Sequence, residues 1–187
     1  WVTRLCARLG TRLREGEGPY RLRLGEEASN IELALRWAHD HDHAIATRIV
    51  GSLGQYWYSY DQASGRRWCG VVIEASAGLA PRLRAKALLS AGMMAQTDYA
   101  WERSVAWLRE ALSIYGAEEA VAGRAASLYW LGRALAGWSG TEHSQDHAME
   151  AARSFEEGLE LCMRIGDRYG AGSFRIWLSA QAFENED

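Results

Sequence analysis

Proline is almost missing from this 187-residue chain: Pro19 and Pro81 are the only two. Helices can therefore run nearly everywhere, because an interior proline would remove a hydrogen bond and clash with the preceding turn. Lysine is scarcer still. Lys86 stands alone, and every other long basic side chain is arginine, the bias of a GC-rich genome. A P-loop needs GxxxxGK[ST], so that backbone amides and a lysine meet the phosphates. Lys86 follows Ala85 inside a helical stretch, which excludes such a nucleotide site on this chain.

The three cysteines, Cys6, Cys69 and Cys162, are odd in number, far apart and without CxxC spacing. That excludes a disulfide framework and points to reduced, semi-buried packing residues in a cytosol. No apolar run approaches the roughly 20 residues that span a bilayer, and no signal peptide opens the chain. A cytoplasmic protein with no membrane partner is expected. The formal net charge of −3 lacks the basic excess of a surface that contacts nucleic acid. Nothing nucleophilic stands out, since Gly51-Ser52-Leu53-Gly54 is a helix segment and not a GxSxG elbow. The carboxylate pairs Glu26-Glu27, Glu118-Glu119 and Glu156-Glu157 fit helix starts or solvent faces. No catalytic residue, metal site or cofactor is expected; the chain binds rather than catalyses. It opens on Trp1, which suggests an excised piece of a longer protein, and Glu184-Asn-Glu-Asp187 reads as a frayed end.

What the sequence does have is helix formers: alanine, leucine, arginine and glutamate dominate, so the fold class is all-α. It also has a repeat. Val50-Leu53-Gly54-Trp57, Leu88-Ala91-Gly92-Ala95 and Leu128-Leu131-Gly132-Leu135 share the offsets 0, 3, 4 and 7. These place all four residues on one helix face. Glycine is a poor mid-helix residue, costing about 1 kcal/mol against alanine, so its recurrence at one place suggests that a neighbouring helix approaches closely there. Each set precedes a second helix with a bulky residue and then a small-large pair: Trp68 to Val72-Ile73, Trp107 to Ala111-Leu112, and Ser154-Phe155 to Gly158-Leu159. Turns are expected at Asp61 to Gly65, Thr97-Asp98 and Gly137 to Asp146, with Asp98 and Asp146 as N-caps.

The glycines give the period, 38 residues from Gly54 to Gly92 and 40 from Gly92 to Gly132. A degenerate fourth copy is read at Arg175-Leu178-Ser179-Ala182, 47 residues beyond Gly132, with Trp138 to Ser144 as an insertion. Such spacing marks a helical solenoid. The expected architecture is one domain over 1–187: atypical helices in 1–43, hairpins over 44–80, 82–118 and 119–165, and a truncated helix over 168–187, about eight antiparallel helices in all.

The small/large pattern of Leu88, Ala91-Gly92, Ala95, Ser104, Leu108 and Ala111 resembles the tetratricopeptide repeat (TPR), though the repeat's final proline is absent and Tyr115 to Gly123 reads as continuous helix instead. Three motifs narrow the likeness: Glu27-Ala-Ser-Asn30 with Ala34-Leu-Arg-Trp-Ala38, Gly65-Arg-Arg-Trp68, and Arg164-Ile-Gly-Asp-Arg-Tyr-Gly170. Together they are similar to the TPR region of bacterial STAND-class signal-transduction ATPases, including large LuxR-type and antibiotic-regulatory transcriptional regulators. The resemblance covers the chain from about Leu24 onward. It implies a right-handed solenoid serving as the binding or sensor arm of a cytoplasmic regulator, and a short polar turn at His39 to His43.

His39-Asp40-His41-Asp42-His43 would align three imidazoles for zinc or nickel only on an extended backbone. The preceding helical pattern runs to about His39, and the solvated turn is the preferred reading over metal or a histidine pH effect. In a TPR-like array the first helix of each pair lines a concave groove. Counted from the repeated glycines, that face carries Arg48, Gly51, Gln55 and Tyr58, then Lys86, Leu89, Met93 and Gln96, then Ala126, Tyr129, Arg133 and Ala136. Arg48, Lys86 and Arg133 would form a row of cations beside Tyr58, Met93 and Tyr129. A peptide or protein segment, including another domain of the same full-length chain, is the expected occupant. A small-molecule inducer controlling an ATPase is the alternative, favoured if the groove proves enclosed.

Overall fold

The computed structural model describes residues 1–10 and 17–184; residues 185–187 of the expected frayed end lie outside them. The described chain is all-helical and contains no strand. It divides into two compact units, Trp1–Asp98 and Tyr99–Asp187. The division falls inside the segment expected as the 82–118 hairpin.

The first unit holds α1 (Val2–Gly10), α2 (Glu17–Glu26), α3 (Ala28–His41), α4 (His43–Tyr60), α5 (Gln62–Ala75) and α6 (Pro81–Gln96). Its central helix is α4, which packs against α1, α3, α5 and α6. Two junctions are single aspartates. Asp42 accepts a hydrogen bond from the Ile45 amide at 3.0 Å, and Asp61 accepts one from the Ser64 amide at 3.2 Å. Each caps the following helix and satisfies a donor that has no intrahelical partner. The breaks expected over His39–His43 and Asp61–Gly65 thus shrink to one residue each. Pro81 opens α6, where its missing amide costs nothing. Glu27 organises the start of α3, taking hydrogen bonds from Asn30 at 2.7 Å and Arg23 at 2.8 Å.

The second unit holds α7 (Trp101–Ala117), α8 (Val121–Glu142), α9 (Gln145–Ile165) and α10 (Arg168–Glu184), each packed on the next. The described helices number ten where about eight were expected, because residues 1–43 carry three. The third turn was expected to be enlarged from Gly137, but the surplus goes into helix: α8 runs 22 residues to Glu142. The cap of α9 is Ser144, whose hydroxyl accepts from the His147 amide at 3.3 Å, so Asp146 lies in the first turn instead. Asp98 is likewise no cap; it pairs with Arg66 at 3.3 Å, and α7 starts after Ala100. The stretch Tyr115–Gly123 also breaks, at Glu118 to Ala120.

All twelve residues of the three recurring sets are buried. Each leucine-sized member contributes about 1.5–3 kcal/mol through the apolar surface it removes from water. The glycines do permit close approach. A Cβ on Gly54 would lie 2.5 Å from the Ser90 hydroxyl, and one on Gly132 would lie 2.5 Å from the Phe155 ring. The second helices repeat the device, since Gly158 receives the Phe174 ring. Trp107 departs from its expected role. Leu108 is buried beside it, while Trp107 stays half-buried with the Arg103 guanidinium 5.4 Å from its ring.

The last copy lies on a different face from the one read in the sequence. Arg175 and Ser179 are exposed, whereas Gly170, Ala171 and Phe174 are buried. These three carry the recurring offsets counted from Asp167, and Ala171 lies 39 residues beyond Gly132. The repeat is therefore regular at this end. It is hard to see because alanine replaces the marker glycine and Asp167 stands where the other copies begin with an aliphatic residue.

Candidate functional site

The face counted from the repeated glycines is only partly a surface. On α4, Arg48 is exposed and Gln55 and Tyr58 are half-buried. Lys86 is exposed on α6, and a Cβ on Gly51 would sit 2.7 Å from its Cβ. Gly51 is one turn from Arg48, so Arg48 and Lys86 stand on adjacent helices near one crossing. The hydroxyl of Ser52 is turned back onto the Arg48 carbonyl at 2.8 Å, and Gln55 reaches Ser59 at 3.4 Å.

Met93 and Gln96, expected to line an open groove, are buried at 4% and 7% exposure. From Ala87 to Gln96 the helix has no charged residue, and all of it but Leu89 is buried. A helix that is apolar or small on all sides has no solvent stripe to offer a ligand. Counting from the glycines assumed such a stripe, and it ends at Lys86.

In the second unit Tyr129 and Arg133 do lie together, but within a cluster of the protein's own aromatics. The Arg133 guanidinium carbon is 4.6 Å from the Trp130 ring centre, 5.4 Å from Trp177 and 5.9 Å from Tyr129. Trp177 donates its indole N–H to the Tyr129 hydroxyl at 3.2 Å and stacks on Phe155 at 5.7 Å. Each cation–π contact supplies about 0.5–2 kcal/mol. Arg133 is thereby anchored to the packing between α8 and α10. Trp177 did not stand out in the sequence because the last copy of the repeat lies eight residues earlier than the letters suggest.

A second feature was not anticipated. Between α3, α4 and α5 lies a cleft of about 370 Å³ with Glu32, Arg36, Trp57, Asp61, Arg67 and Trp68 on its walls. Glu32 accepts from the Trp68 indole at 2.8 Å and from Arg36 at 2.9 Å, and it pairs with Arg67. Partial burial opposes its ionisation. The Trp68 and Arg36 hydrogen bonds and the charges of Arg67 and Arg36 outweigh that effect and hold its carboxyl below the ordinary range. The only sequence signal was the Glu32–Arg36 spacing of four, which is common on solvent faces.

The histidines do not converge. Helix α3 continues through His41, whose Nδ1 lies 2.8 Å from the Trp37 carbonyl oxygen and whose ring stacks on Trp37. His39 turns instead toward Trp68 and His43. Among the described residues no three metal-ligating side chains are grouped to hold an ion. None of the three cysteines is in a disulfide, and all three are buried. Burial pushes Cys6 up to about 12 and raises Cys69 as well, so neither offers a thiolate for chemistry. No described helix is long and apolar enough to cross a membrane. The chain matches no protein-family model and no curated protein.

Proposed function

We propose that the chain is a TPR-like helical solenoid that binds a protein or peptide segment without catalysis. The carrying observation is the exposure of Arg48 on α4 and of Lys86 on α6 near the Gly51 crossing, with Gln55 and Tyr58 further along α4. The recurring buried faces do the packing, and Arg48 and Lys86 stay exposed. Two neighbouring cations beside an aromatic suit a segment bearing carboxylates, and Tyr58 supplies rigid contact area. Met93 and Gln96 have no part in this surface, and Arg133 serves the packing of the second unit.

The motifs at Glu27–Asn30, Gly65–Trp68 and Arg164–Gly170 extend the proposal. They support a place as the sensor arm of a cytoplasmic bacterial regulator of the STAND or large LuxR type, whose ATPase is encoded elsewhere in the gene. Fluorescence anisotropy with a labelled pool of acidic peptides tests the groove. Binding should weaken with added salt and fall at least tenfold in Arg48→Glu/Lys86→Glu. Affinity unchanged in the double variant would remove the groove from the proposal.

The cleft around Glu32 favours a second reading, a small-molecule inducer site, because its volume lies within the range of ligand pockets. A thermal-shift screen with metabolites tests it, since a ligand that binds only the folded state raises the midpoint.

A further inference from the structure

The second unit carries a cavity that neither the groove nor the Glu32 cleft involves. It measures about 330 Å³ and lies between the start of α7 and the last turns of α8. Tyr99, Trp101 and Trp138 give it aromatic walls, and Glu102 and Glu142 place carboxylates on it. Neither glutamate forms an ion pair with a described residue. Arg103 also lines the cavity, but its guanidinium is engaged with Trp107, which does not.

Several features hold this arrangement ready. The Trp101 ring fits because position 137 is glycine: a Cβ there would come within 2.6 Å of the indole. Trp138 is pinned by His147, which does not line the cavity and stacks on it at 4.2 Å. The Thr141 hydroxyl is spent on the Trp138 carbonyl at 2.9 Å. Tyr99 is 75% exposed, adopts a φ of 56° and meets Trp101 edge-on at 5.7 Å. A bulky residue in left-handed backbone is strained, and such strain is concentrated where function requires a fixed side chain.

We propose that this cavity binds an organic cation of the methylated-ammonium class. Aromatic faces attract a cation that has little hydration to lose, and quaternary ammonium groups are the ligands such walls suit best. The charges agree. The C-terminal end of α8 is its negative pole, yet it carries Glu142 and no basic residue in its last turn. Glu102 offsets the positive pole of α7. An anion would meet two carboxylates, and a neutral apolar ligand would strip them of water without compensation. A metal ion would find two carboxylates and no third ligand.

The test is titration of the chain with choline, with a short peptide bearing trimethyl-lysine, and with 3,3-dimethylbutanol, the neutral isostere of choline. The indole N–H signals of Trp101 and Trp138 are followed by NMR. A saturable shift with either cation, at least tenfold weaker with the isostere, is expected. Stronger binding of the peptide assigns a peptide-borne group; equal or stronger binding of choline assigns a free cation. Tyr99→Gly should lose about tenfold in affinity while its thermal midpoint holds or rises, because glycine relaxes the backbone. Glu142→Gln should weaken the cations and leave the isostere unchanged. Equal binding of choline and the isostere, or no saturable shift with either cation, would overturn the proposal. Failure of the Arg48/Lys86 groove would leave it standing, because no residue is shared.

Discussion

In the first unit, the corners before α4 and α5 are each one aspartate with an extended backbone, φ −155° at Asp42 and −147° at Asp61. In the second unit every corner places a residue in the left-handed region: Tyr99 at φ 56°, Glu119 at 53°, His143 at 54° and Gly166 at 72°. Only one of the four is glycine. The aspartate corners are held locally, by one carboxylate and one amide. The left-handed corners carry strain of about 1–2 kcal/mol each unless glycine is present, so tertiary packing must hold them. Aromatic rings do this in the second unit. Tyr115 covers Gly123 across the Glu119 corner, Trp138 stacks on His147 across the His143 corner, and Tyr99 meets Trp101. The Asp42 and Asp61 corners are held by a cap alone, whereas the left-handed corners at Tyr99, Glu119 and His143 have an aromatic clamp.

The largest test of this contrast is Tyr115→Ala. Tyr115 is 5% exposed, and its ring would lie 2.5 Å from a Cβ at Gly123. Its removal should cost about 3 kcal/mol in urea unfolding, more than the cavity alone if the Glu119 corner also relaxes. Next comes the double variant Asp42→Ala/Asp61→Ala. Each cap is worth about 1 kcal/mol and the two share no partner, so a loss of about 2 kcal/mol, close to additive, is expected. A clearly greater loss would mean that the first unit's corners are also held by packing.

This difference also explains what could be read from the letters alone. Aspartate before an apolar-periodic run signals a cap wherever it occurs, and at Asp42 and Asp61 the signal coincides with the corner. At Asp98 and Asp146 the same letter misleads: α7 starts after Ala100 with no side-chain cap, and Ser144 takes the cap of α9. At Glu119 the repeat period sets a hairpin boundary after residue 118, but no letter at the corner itself marks the turn. The Gly166-Asp167 corner was legible because glycine takes the left-handed position and Asp167 caps α10 through the Gly170 amide at 2.8 Å. The repeated core faces were legible for a similar reason, since burial follows the 3.6-residue period directly. The candidate site was less so. Arg48 and Lys86 follow from the register, whereas burial of Met93 and the aromatic surroundings of Arg133 depend on helices distant in sequence.

Gly166→Ala should cost about 1 kcal/mol or somewhat more, the penalty for a Cβ in left-handed backbone, although open space surrounds the position. A near-zero effect would mean that the second unit tolerates strained corners without a clamp. The polar ties of the first unit respond to pH. Glu32 of α3 takes hydrogen bonds from Trp68 and Arg67 of α5, and its folded pKa lies below the ordinary value of 4.5. A depressed pKa stabilises the fold above that value, and the contribution fades as pH falls through the folded-state pKa. Glu32→Gln should therefore cost about 1 kcal/mol at neutral pH. The difference from the unaltered chain should close on acidification below 4.5. A pH-independent difference would show that the carboxylate charge is immaterial and only its shape matters.

The smallest effect, and the most specific to the contrast, is a gain. Glu119 is exposed and holds φ 53° between α7 and α8. Glycine there removes the steric cost of the left-handed region but adds freedom to the unfolded chain, which takes back about 0.5–1 kcal/mol. Glu119→Gly should thus stabilise by about 0.5 kcal/mol, a small rise in the urea midpoint with an unchanged slope. The informative step combines it with Tyr115→Ala. If the ring forces the corner to stay left-handed, its loss lets the strain at Glu119 relax, and glycine then has less to relieve. The gain should therefore shrink in the Tyr115→Ala background, a coupling that a double-mutant cycle reads directly. Simple additivity would mean that the helix ends impose the corner by themselves and that the aromatic ring only fills space.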